Sequence, residues 1–350
     1  MTGVSFHVTI PAEKSHPKGG APVIHGGGVW DAGNPADWLD FSANLRPEEP
    51  PEWVTDALRS TLGDIRFYPD LNMTRARRGL AAFTGLPEAQ ILPTAGGTAA
   101  IDLALSHLKG CVYTEEHPFG EYIRRAEANG RRHTVWDGSF AAGDTLILAN
   151  PDNPSGRVRT REEMLSLYDK LRCGGAEMVA DEAFIDYCPE HSLRRHIAPG
   201  LIIAGSLTKI LGIPGVRLGF LCADPETVHT LQERMLPWSL SAQASEIAAR
   251  LPEHKDEIRK DAETNRRRRE AMAGRLEALG AAVAPSGSNF LLADFHRDMI
   301  GAAEMLKAQG ILVRTCASFG LGNRFLRLAV RTEKENERLI NALEEILYAR

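Results

Sequence analysis

Residues 201–220 read LIIAGSLTKILGIPGVRLGF, a short apolar run that leads directly into Ser206 and Lys209 and, after a Pro-Gly turn, into Arg217. A lysine just beyond a buried strand is partly desolvated, which favours the neutral, nucleophilic amine. The hydroxyl and the guanidinium beside it are groups that bind phosphate. The stretch therefore predicts a reactive amine next to an anion site, at the end of a strand.

The same four residues, 206–209, also allow a second interpretation. Ser206-x-x-Lys209 is the nucleophile motif of penicillin-binding proteins and class A β-lactamases. Those enzymes carry Ser-Asp-Asn and Lys-Thr-Gly motifs elsewhere, and this sequence contains neither. A plain exposed lysine after a strand is the simplest alternative for Lys209 taken alone.

Composition narrows the class of protein. The 350 residues can bury a sizeable core and favour two domains, and the net charge of −5 gives no reason to expect nucleic acid or an anionic membrane as partner. Five scattered cysteines favour free thiols in a reducing cytoplasm. No signal peptide or membrane-spanning apolar stretch is apparent. We expect a soluble, cytoplasmic protein without a metal site.

The order of periodic segments predicts the fold class. Helical patterns are followed by short apolar strands, which indicates an α/β fold with a mainly parallel sheet. The expected helices are 53–62, 74–84 and 97–108, and the expected strands are 111–114, 145–149, 176–180, 201–205 and 217–222. After about residue 240, helices at 253–279, 299–309 and 333–348 with strands at 289–294 and 325–330 predict a smaller α+β domain.

Four consecutive arginines at 266–269 suggest a nucleic-acid patch at first sight. Acidic residues interleave with them along the predicted helix 253–279, and that pattern is typical of a solvated helix face. We therefore expect these arginines to face solvent.

Three apolar runs end in polar residues that suit one cofactor. They lead into residues 150–156, into Asp181 and into Ser206 with Lys209, and in a parallel sheet these ends share one edge. Asp181 is the candidate to keep a pyridine nitrogen protonated, and a turn-capping aspartate is the alternative. Asn153 is the candidate amide donor to a phenolic oxygen. With Lys209, these residues predict pyridoxal phosphate as the cofactor.

Two weaker signals agree with that cofactor. Residues 94–98, TAGGT, precede a predicted helix, whose free N–H groups suit a phosphate. Phe119 is the best candidate for an aromatic face over the cofactor ring, although an isolated phenylalanine is more often part of the core.

With these residues assembled, the chain from about 22 to 350 resembles the fold-type I pyridoxal-phosphate enzymes of the aminotransferase superfamily. Within them, HGG at 25–27, WLDFSAN at 38–44, VRTC at 313–316 and RLAVR at 327–331 are similar to threonine-phosphate decarboxylases. Phe184 stands where the related histidinol-phosphate aminotransferases typically have tyrosine. The resemblance implies a large domain with a seven-stranded, mainly parallel sheet and a small α+β domain. The implied division is a leader 1–24, an arm 25–52 that joins the small domain, a cofactor domain 53–240 and a small domain 241–350.

The resemblance also implies roles around the cofactor. Lys209 would form the Schiff base, Asp181 would pair with the ring nitrogen and Asn153 with the phenolic oxygen, while Phe119 would stack on the ring. The cofactor phosphate would be held by Gly97, Thr98, Ser206 and Arg217. Tyr68 would reach the cofactor phosphate of a neighbouring subunit, which implies a homodimer with shared active sites.

The implied substrate is a small phosphorylated amino acid. Arg327, with Asn44, would bind its carboxylate, and Arg314 with His25 would bind its phosphate. A surface salt bridge is the alternative for either arginine, although Arg327 interrupts an apolar strand, and an ordinary loop position is the alternative for His25. The chain departs from the family pattern at 94–96, at Gly28 and at 46–50, near where substrate binds.

The activity that follows from the resemblance is decarboxylation of O-phospho-L-threonine to (R)-1-amino-2-propanol O-2-phosphate, a step of cobalamin biosynthesis. The alternative is an aminotransferase of class I/II acting on histidinol phosphate. A non-catalytic, pyridoxal-phosphate-binding regulator is a third possibility, but such fusions carry a DNA-binding domain that residues 1–24 are too short to form.

Overall fold

The computed structural model describes residues 25–30 and 33–348. The predicted leader, residues 1–24, lies outside this part. In chain order the helices are α1 Glu52–Ser60, α2 Thr74–Thr84, α3 Gly97–His107, α4 Gly120–Ala128, α5 Arg161–Cys173, α6 Pro225–Arg234, α7 Ala242–Arg250, α8 Lys255–Ala278, α9 Ile300–Ala308 and α10 Glu333–Tyr348.

The strands are short and fall into three sheets. They are β1 Leu39–Asp40, β2 Ile91–Thr94, β3 Val112–Thr114, β4 His133–Val135, β5 Thr145–Ala149, β6 Glu177–Glu182, β7 Leu201–Ser206, β8 Gly219–Cys222, β9 Ala282–Val283, β10 Phe290–Asp294, β11 Ile311–Leu312, β12 Arg314–Thr315 and β13 Phe325–Ala329. None of the helices in the described ranges is long and apolar enough to cross a membrane.

The largest sheet has seven strands in the order β2-β8-β7-β6-β5-β3-β4. β8 runs antiparallel to both neighbours and the other pairs are parallel. The central strands β5 and β7 are buried along their whole length, as continuous apolar runs covered by helices on both faces must be. The predicted α/β class with a mainly parallel seven-stranded sheet is confirmed.

Side-chain caps define where several of the surrounding helices begin. Thr160 and Glu163 form a capping box at the start of α5. Asp224 accepts the backbone N–H of Thr227 at the start of α6. Each cap satisfies backbone donors that the first helical turn leaves unpaired, and so fixes where the chain turns from loop into helix.

The second sheet is antiparallel, in the order β12-β13-β10-β9, and β1 pairs with β11 in a separate parallel ladder. The chain segment before α1 therefore joins the C-terminal elements. The apolar core also divides, since one cluster covers the large sheet and a second surrounds Phe41, Leu291 and Leu328. α7 and the first turns of α8, through Ala262, pack on the first cluster. These helical segments follow residue 240, where the boundary between the two domains was predicted, yet they pack with the cofactor-domain core. The division into domains stays a prediction.

The arginine run on α8 faces two ways. Arg266 is exposed and pairs with Glu263 and Glu270, in agreement with a solvated face. The expectation is wrong for Arg269, which is buried and donates to the backbone oxygen of Ser288 at 2.8 Å. Helical periodicity explains the difference, because four consecutive residues span a full turn and one of them must face the core.

Candidate active site

The predicted polar residues meet at one edge of the large sheet. β5, β6 and β7 are parallel neighbours, and Asp181 lies in register with Ala149 on one side and Ala204 on the other. The residues that follow β5 and β7 therefore flank Asp181. In open α/β sheets the carboxyl ends of the strands form the crevice in which ligands bind.

Asp181 is a buried carboxylate with two donors. Its Oδ2 accepts the hydroxyl of Tyr122 at 2.6 Å, and its Oδ1 accepts the backbone N–H of Ala183 at 3.0 Å. Burial raises the pKa of Asp181, while these hydrogen bonds and the positive charge of Lys209 act in the opposite direction. A protonated ring nitrogen beside this carboxylate would supply the counter-charge that the buried group lacks.

Lys209 has the properties of a nucleophilic amine. Its pKa is lowered to about 8, mainly by burial and also by the positive charges of Arg327 and Arg217, while the negative charge of Asp181 opposes the shift. A substantial fraction of this amine is neutral in mildly alkaline solution. The backbone oxygen of Lys209 accepts the N–H of Arg46 at 3.1 Å and the hydroxyl of Tyr187 at 3.4 Å, so the segment is anchored from two sides.

An anion cradle lies at the start of α3. A Cβ on Gly97 would stand 3.2 Å from the Cβ of Ser206, a tight contact, so a side chain here would force a small shift between the start of α3 and β7. The guanidinium of Arg217 lies against Gly96, where a Cβ would come within 2.5 Å of Nη2. Thr98 is the second residue of α3. Free N–H groups, a hydroxyl and a guanidinium together suit a phosphate.

The loop before α4 and its first turn carry the aromatic face. Phe119 is the residue before α4, and its ring packs edge-on against Tyr122 at 5.6 Å between centroids. His25 lies 5.9 Å from Phe119, measured between rings, and its Nε2 is 3.0 Å from Oε1 of Glu121. This short segment thus contacts both Asp181, through Tyr122, and the N-terminal arm, through Glu121 and Phe119.

Arg327 is a buried cation on β13. Its Nη1 donates to Oδ1 of Asn153 at 2.6 Å, and its Nη2 donates to the backbone oxygen of Ser42 at 2.9 Å. No carboxylate in residues 25–30 and 33–348 forms an ion pair with it. The pKa of Arg327 is lowered to about 10, mainly by burial and also by the positive charge of Arg314, while Cys316 and Asp40 act in the opposite direction. A buried guanidinium with its charge uncompensated is suited to a carboxylate ligand.

The remaining predicted substrate residues lie around Arg327 or near Phe119. Arg314 is the direct cross-strand partner of Arg327, is buried, and donates to Oγ of Ser318 at 2.7 Å. Asn44 is buried, and its side-chain oxygen has no hydrogen-bond partner among the described residues. His25 is half-exposed and engaged by Glu121.

Tyr68 is in a different setting. It is 79% exposed and its ring lies 4.6 Å from that of Trp238, beside the exposed side chains of Phe67 and Ile65. Its predicted role requires a second subunit, and the single chain places it on an apolar surface.

The sequence reasoning missed Tyr122, Tyr187 and the backbone of Arg46. Only Tyr122 had a usable signal, because a residue three positions after Phe119 shares its side of a helix. The contacts of Tyr187 and Arg46 join segments that are far apart in the chain, and nothing local indicates them.

The residues present fit pyridoxal phosphate. The buried carboxylate would pair with the ring nitrogen, the amine of lowered pKa would meet the aldehyde, and the start of α3 beside Ser206 would take the phosphate. The side-chain oxygen of Asn153 accepts a hydrogen bond from Arg327. The amide N–H groups of Asn153 are therefore what it can donate to a ligand.

Comparison with known proteins agrees with this assignment. Threonine-phosphate decarboxylase of Salmonella typhimurium is 32% identical over 92% of this chain and 96% of its own length. A histidinol-phosphate aminotransferase of Mycobacterium bovis is 29% identical over 84% of each chain. The crystal structure of histidinol-phosphate aminotransferase from Sinorhizobium meliloti in complex with pyridoxal-5'-phosphate superimposes with a TM-score of 0.79 at 22% identity, covering 88% of this chain and 90% of that one.

The profile of one family matches more than half of the chain. It spans residues 138–343, which includes Asn153, Asp181, Lys209 and Arg327. The chain belongs to the class I and II aminotransferase family.

Proposed function

We propose that this protein decarboxylates O-phospho-L-threonine to (R)-1-amino-2-propanol O-2-phosphate and carbon dioxide, as a step of cobalamin biosynthesis. The observation that carries the proposal is the full-length similarity to threonine-phosphate decarboxylase. The adjacent buried arginines support it, because the substrate has two anionic groups on a short carbon chain.

The cofactor is pyridoxal phosphate, which when bound supplies an electron-accepting ring for the pair released at the substrate α-carbon. Asp181 would hold a proton on the ring nitrogen and keep the ring an acceptor. Gly97, Thr98, Ser206 and Arg217 would hold the cofactor phosphate, and Phe119 would cover the ring face. Lys209 would offer its amine to the aldehyde and, after carbon dioxide leaves, return a proton to the α-carbon.

The substrate would be fixed at two points. Arg327, helped by Asn44, would take the carboxylate, and Arg314 with His25 would take the phosphate. Two anchors set the rotation of the substrate about its amine, and the bond that breaks is the one held perpendicular to the cofactor ring. Carboxylate orientation at Arg327 therefore decides between loss of carbon dioxide and loss of a proton.

A second subunit would complete the site. Tyr68 and Trp238 are exposed aromatic neighbours, and Phe67 and Ile65 are exposed as well. Burial of these side chains against another copy would place Tyr68 near that copy's cofactor phosphate. We propose a homodimer, checked by light scattering after gel filtration. Cytoplasmic location stays a prediction.

The rival function is transamination of histidinol phosphate, favoured by the 29% identity to the aminotransferase of Mycobacterium bovis. The two activities can be distinguished by their products. Holoenzyme is mixed with O-phospho-L-threonine and carbon dioxide is measured, then with histidinol phosphate and 2-oxoglutarate and glutamate is measured. The proposal expects carbon dioxide from the first mixture. Glutamate from the second mixture without carbon dioxide from the first would reject it.

A further inference from the structure

Two features of the sequence have no role in the proposed reaction. One is the segment 46–50, RPEEP, where the chain departs from the family pattern, and the other is the arginine run 266–269. The structure brings them together, because an ion pair joins Glu48 of the first to Arg268 of the second. Both features therefore belong to one contact between the N-terminal arm and α8.

Charged side chains form this contact. Arg46 bonds the carboxylate of Asp261 through Nη1, and its Nε lies 3.7 Å from Oε2 of Glu48. Arg268 bonds Glu48 and, at 3.0 Å, Glu333 at the start of α10. Asp261 and Arg268 are seven residues apart, so they share one face of α8. The side chains of Arg46 and Arg268 are only 14% and 13% exposed, so solvent and salt screen these pairs less than surface pairs.

The arm depends on these side chains because its backbone has few donors. Pro47, Pro50 and Pro51 have no N–H group, which leaves half of residues 46–51 without one. The N–H of Arg46 donates to the backbone oxygen of Lys209 at 3.1 Å. The residue that bonds Lys209 is therefore the same residue whose side chain is paired to α8.

The arm also packs against the turn that follows Lys209. Gly212 in this turn has φ +66°, and a Cβ on it would lie 3.5 Å from the Cβ of Arg46 and 3.6 Å from the backbone oxygen of Glu48. A displacement of Arg46 would thus reach the segment that carries the amine in two ways, through the hydrogen bond to Lys209 and through packing at the turn.

We propose that Arg46 is a positioning residue for Lys209. Its ion pair with Asp261 holds the arm against α8, and the arm in turn fixes the backbone of Lys209, so that the amine meets the cofactor aldehyde. Arg268 supports Arg46 by way of Glu48, which gives the arginine run a part in the site. The inference rests on Lys209 as the cofactor lysine and holds for either candidate reaction.

The first test follows the Lys209 amine and needs no substrate. Arg46→Met removes the charge, keeps an unbranched side chain and leaves the backbone N–H in place. The pKa of Lys209 is set by burial and by the charges of Arg327, Arg217 and Asp181, and Arg46 is not among them. A changed midpoint in the pH dependence of holoenzyme formation therefore measures displacement of the amine and not the loss of a nearby charge.

Arg46→Met should raise this midpoint. A displaced amine is less buried, so we expect the midpoint to move from about pH 8 to roughly pH 8.5 or above, measured by stopped-flow absorbance. The dissociation constant of pyridoxal phosphate should rise about threefold to tenfold, because a hydrogen bond to the Lys209 segment is weakened. Arg46→Lys keeps the charge and should restore both values in part.

Arg266→Met is the matched control. Arg266 belongs to the same arginine run and also forms two ion pairs, with Glu263 and Glu270, but on the exposed face of α8. Its midpoint and its affinity for pyridoxal phosphate should equal those of wild type. Melting temperatures of all variants identify any change that comes from unfolding.

A second measurement guards against a folding defect in the Arg46 variants. Asp261→Asn changes α8 alone and leaves the sequence of the arm intact. Hydrogen exchange of the Arg46 amide, followed by mass spectrometry in the holoenzyme, measures the strength of its bond to Lys209. We expect exchange about tenfold faster in Asp261→Asn than in wild type, because the local contact that protects this amide is weakened.

Each outcome decides the inference. An unmoved midpoint with unchanged cofactor affinity in folded Arg46→Met would overturn it, as would unchanged exchange of the Arg46 amide in Asp261→Asn. Equal shifts in Arg46→Met and Arg266→Met would also overturn it, because any arginine of α8 or the arm would then have the same effect. A failure to release carbon dioxide from O-phospho-L-threonine bears on the proposed function alone, since neither measurement uses that substrate.

Discussion

The two halves of the candidate site are built differently. The cofactor half stands on the ends of buried parallel strands and on the start of α3, with Asp181 in register between β5 and β7. The substrate half combines side chains that are far apart in the chain, from His25 to Arg327, on loops and short antiparallel strands. Rigid strands suit a cofactor common to a whole family, and the second half is where related enzymes can change substrate and reaction.

The largest expected effect is on the cofactor half. Asp181→Asn keeps the shape but removes the charge that would hold a proton on the ring nitrogen, and we expect kcat to fall about 10²- to 10³-fold. Carbon dioxide release from O-phospho-L-threonine measures it. Asp169→Asn, on the exposed face of α5, is the matched control and should behave as wild type. A fall of less than threefold for Asp181→Asn would remove this carboxylate from the chemistry.

A change in the substrate half should leave the cofactor in place. Arg327→Lys keeps a positive charge but loses the fork that bonds a carboxylate through two hydrogens, so KM should rise about tenfold to a hundredfold. Visible absorbance of the bound cofactor should remain as in wild type. Arg259→Lys, at an exposed position of α8, is the control. Loss of the cofactor in Arg327→Lys would show that the two halves are not separable.

A third variant tests the hydrogen bond between the hydroxyl of Tyr122 and Asp181 within the cofactor half. Tyr122→Phe keeps the edge-on packing with Phe119 and removes one donor to Asp181, so we expect cofactor affinity to fall about tenfold. Titration of apoenzyme with pyridoxal phosphate gives the dissociation constant. Tyr168→Phe, whose hydroxyl bonds the backbone oxygen of Pro199, controls for loss of a buried hydroxyl elsewhere.

The smallest expected effect is the electrostatic influence of Arg327, in the substrate half, on the pKa of Lys209, in the cofactor half. Only the neutral amine of Lys209 attacks an aldehyde, so the rate of holoenzyme formation should rise with pH, with a midpoint at about pH 8, and level off above it. Arg327→Gln removes a positive charge that lowers the pKa of Lys209, and should move this midpoint to higher pH. Stopped-flow absorbance follows the reaction, and an unmoved midpoint would mean that the halves are electrostatically independent.

The comparison also explains what the sequence could reveal. Asn153 and Lys209 follow apolar runs that are strands in the structure, and Asp181 lies at the end of another, within β6, so the polar residues and the buried strands are adjacent in the chain. The strands β10 and β13 of the four-stranded sheet were predicted for the same reason. β2 was missed, because Pro93 interrupts its pattern. The helices α4 to α7 were not predicted from their sequences, and Tyr122 was missed with α4.

Contacts between distant segments could not be predicted. The pairing of β12 with β13 sets Arg314 beside Arg327, yet β12 has two residues and no periodic signal. The bond from His117 to Phe319 joins positions about two hundred residues apart. Such contacts depend on how the small sheet packs against the large one, which local pattern does not encode.

Covalent attachment of the cofactor is the most direct test of the site at the strand edge. Purified protein is loaded with pyridoxal phosphate, reduced with borohydride, digested, and mapped by mass spectrometry. We expect the reduced cofactor on the peptide that contains Lys209, and no labelled peptide from Lys209→Ala treated in the same way. A label on another lysine, or a wild-type protein that takes up no cofactor, would contradict the assignment of this edge as the active site.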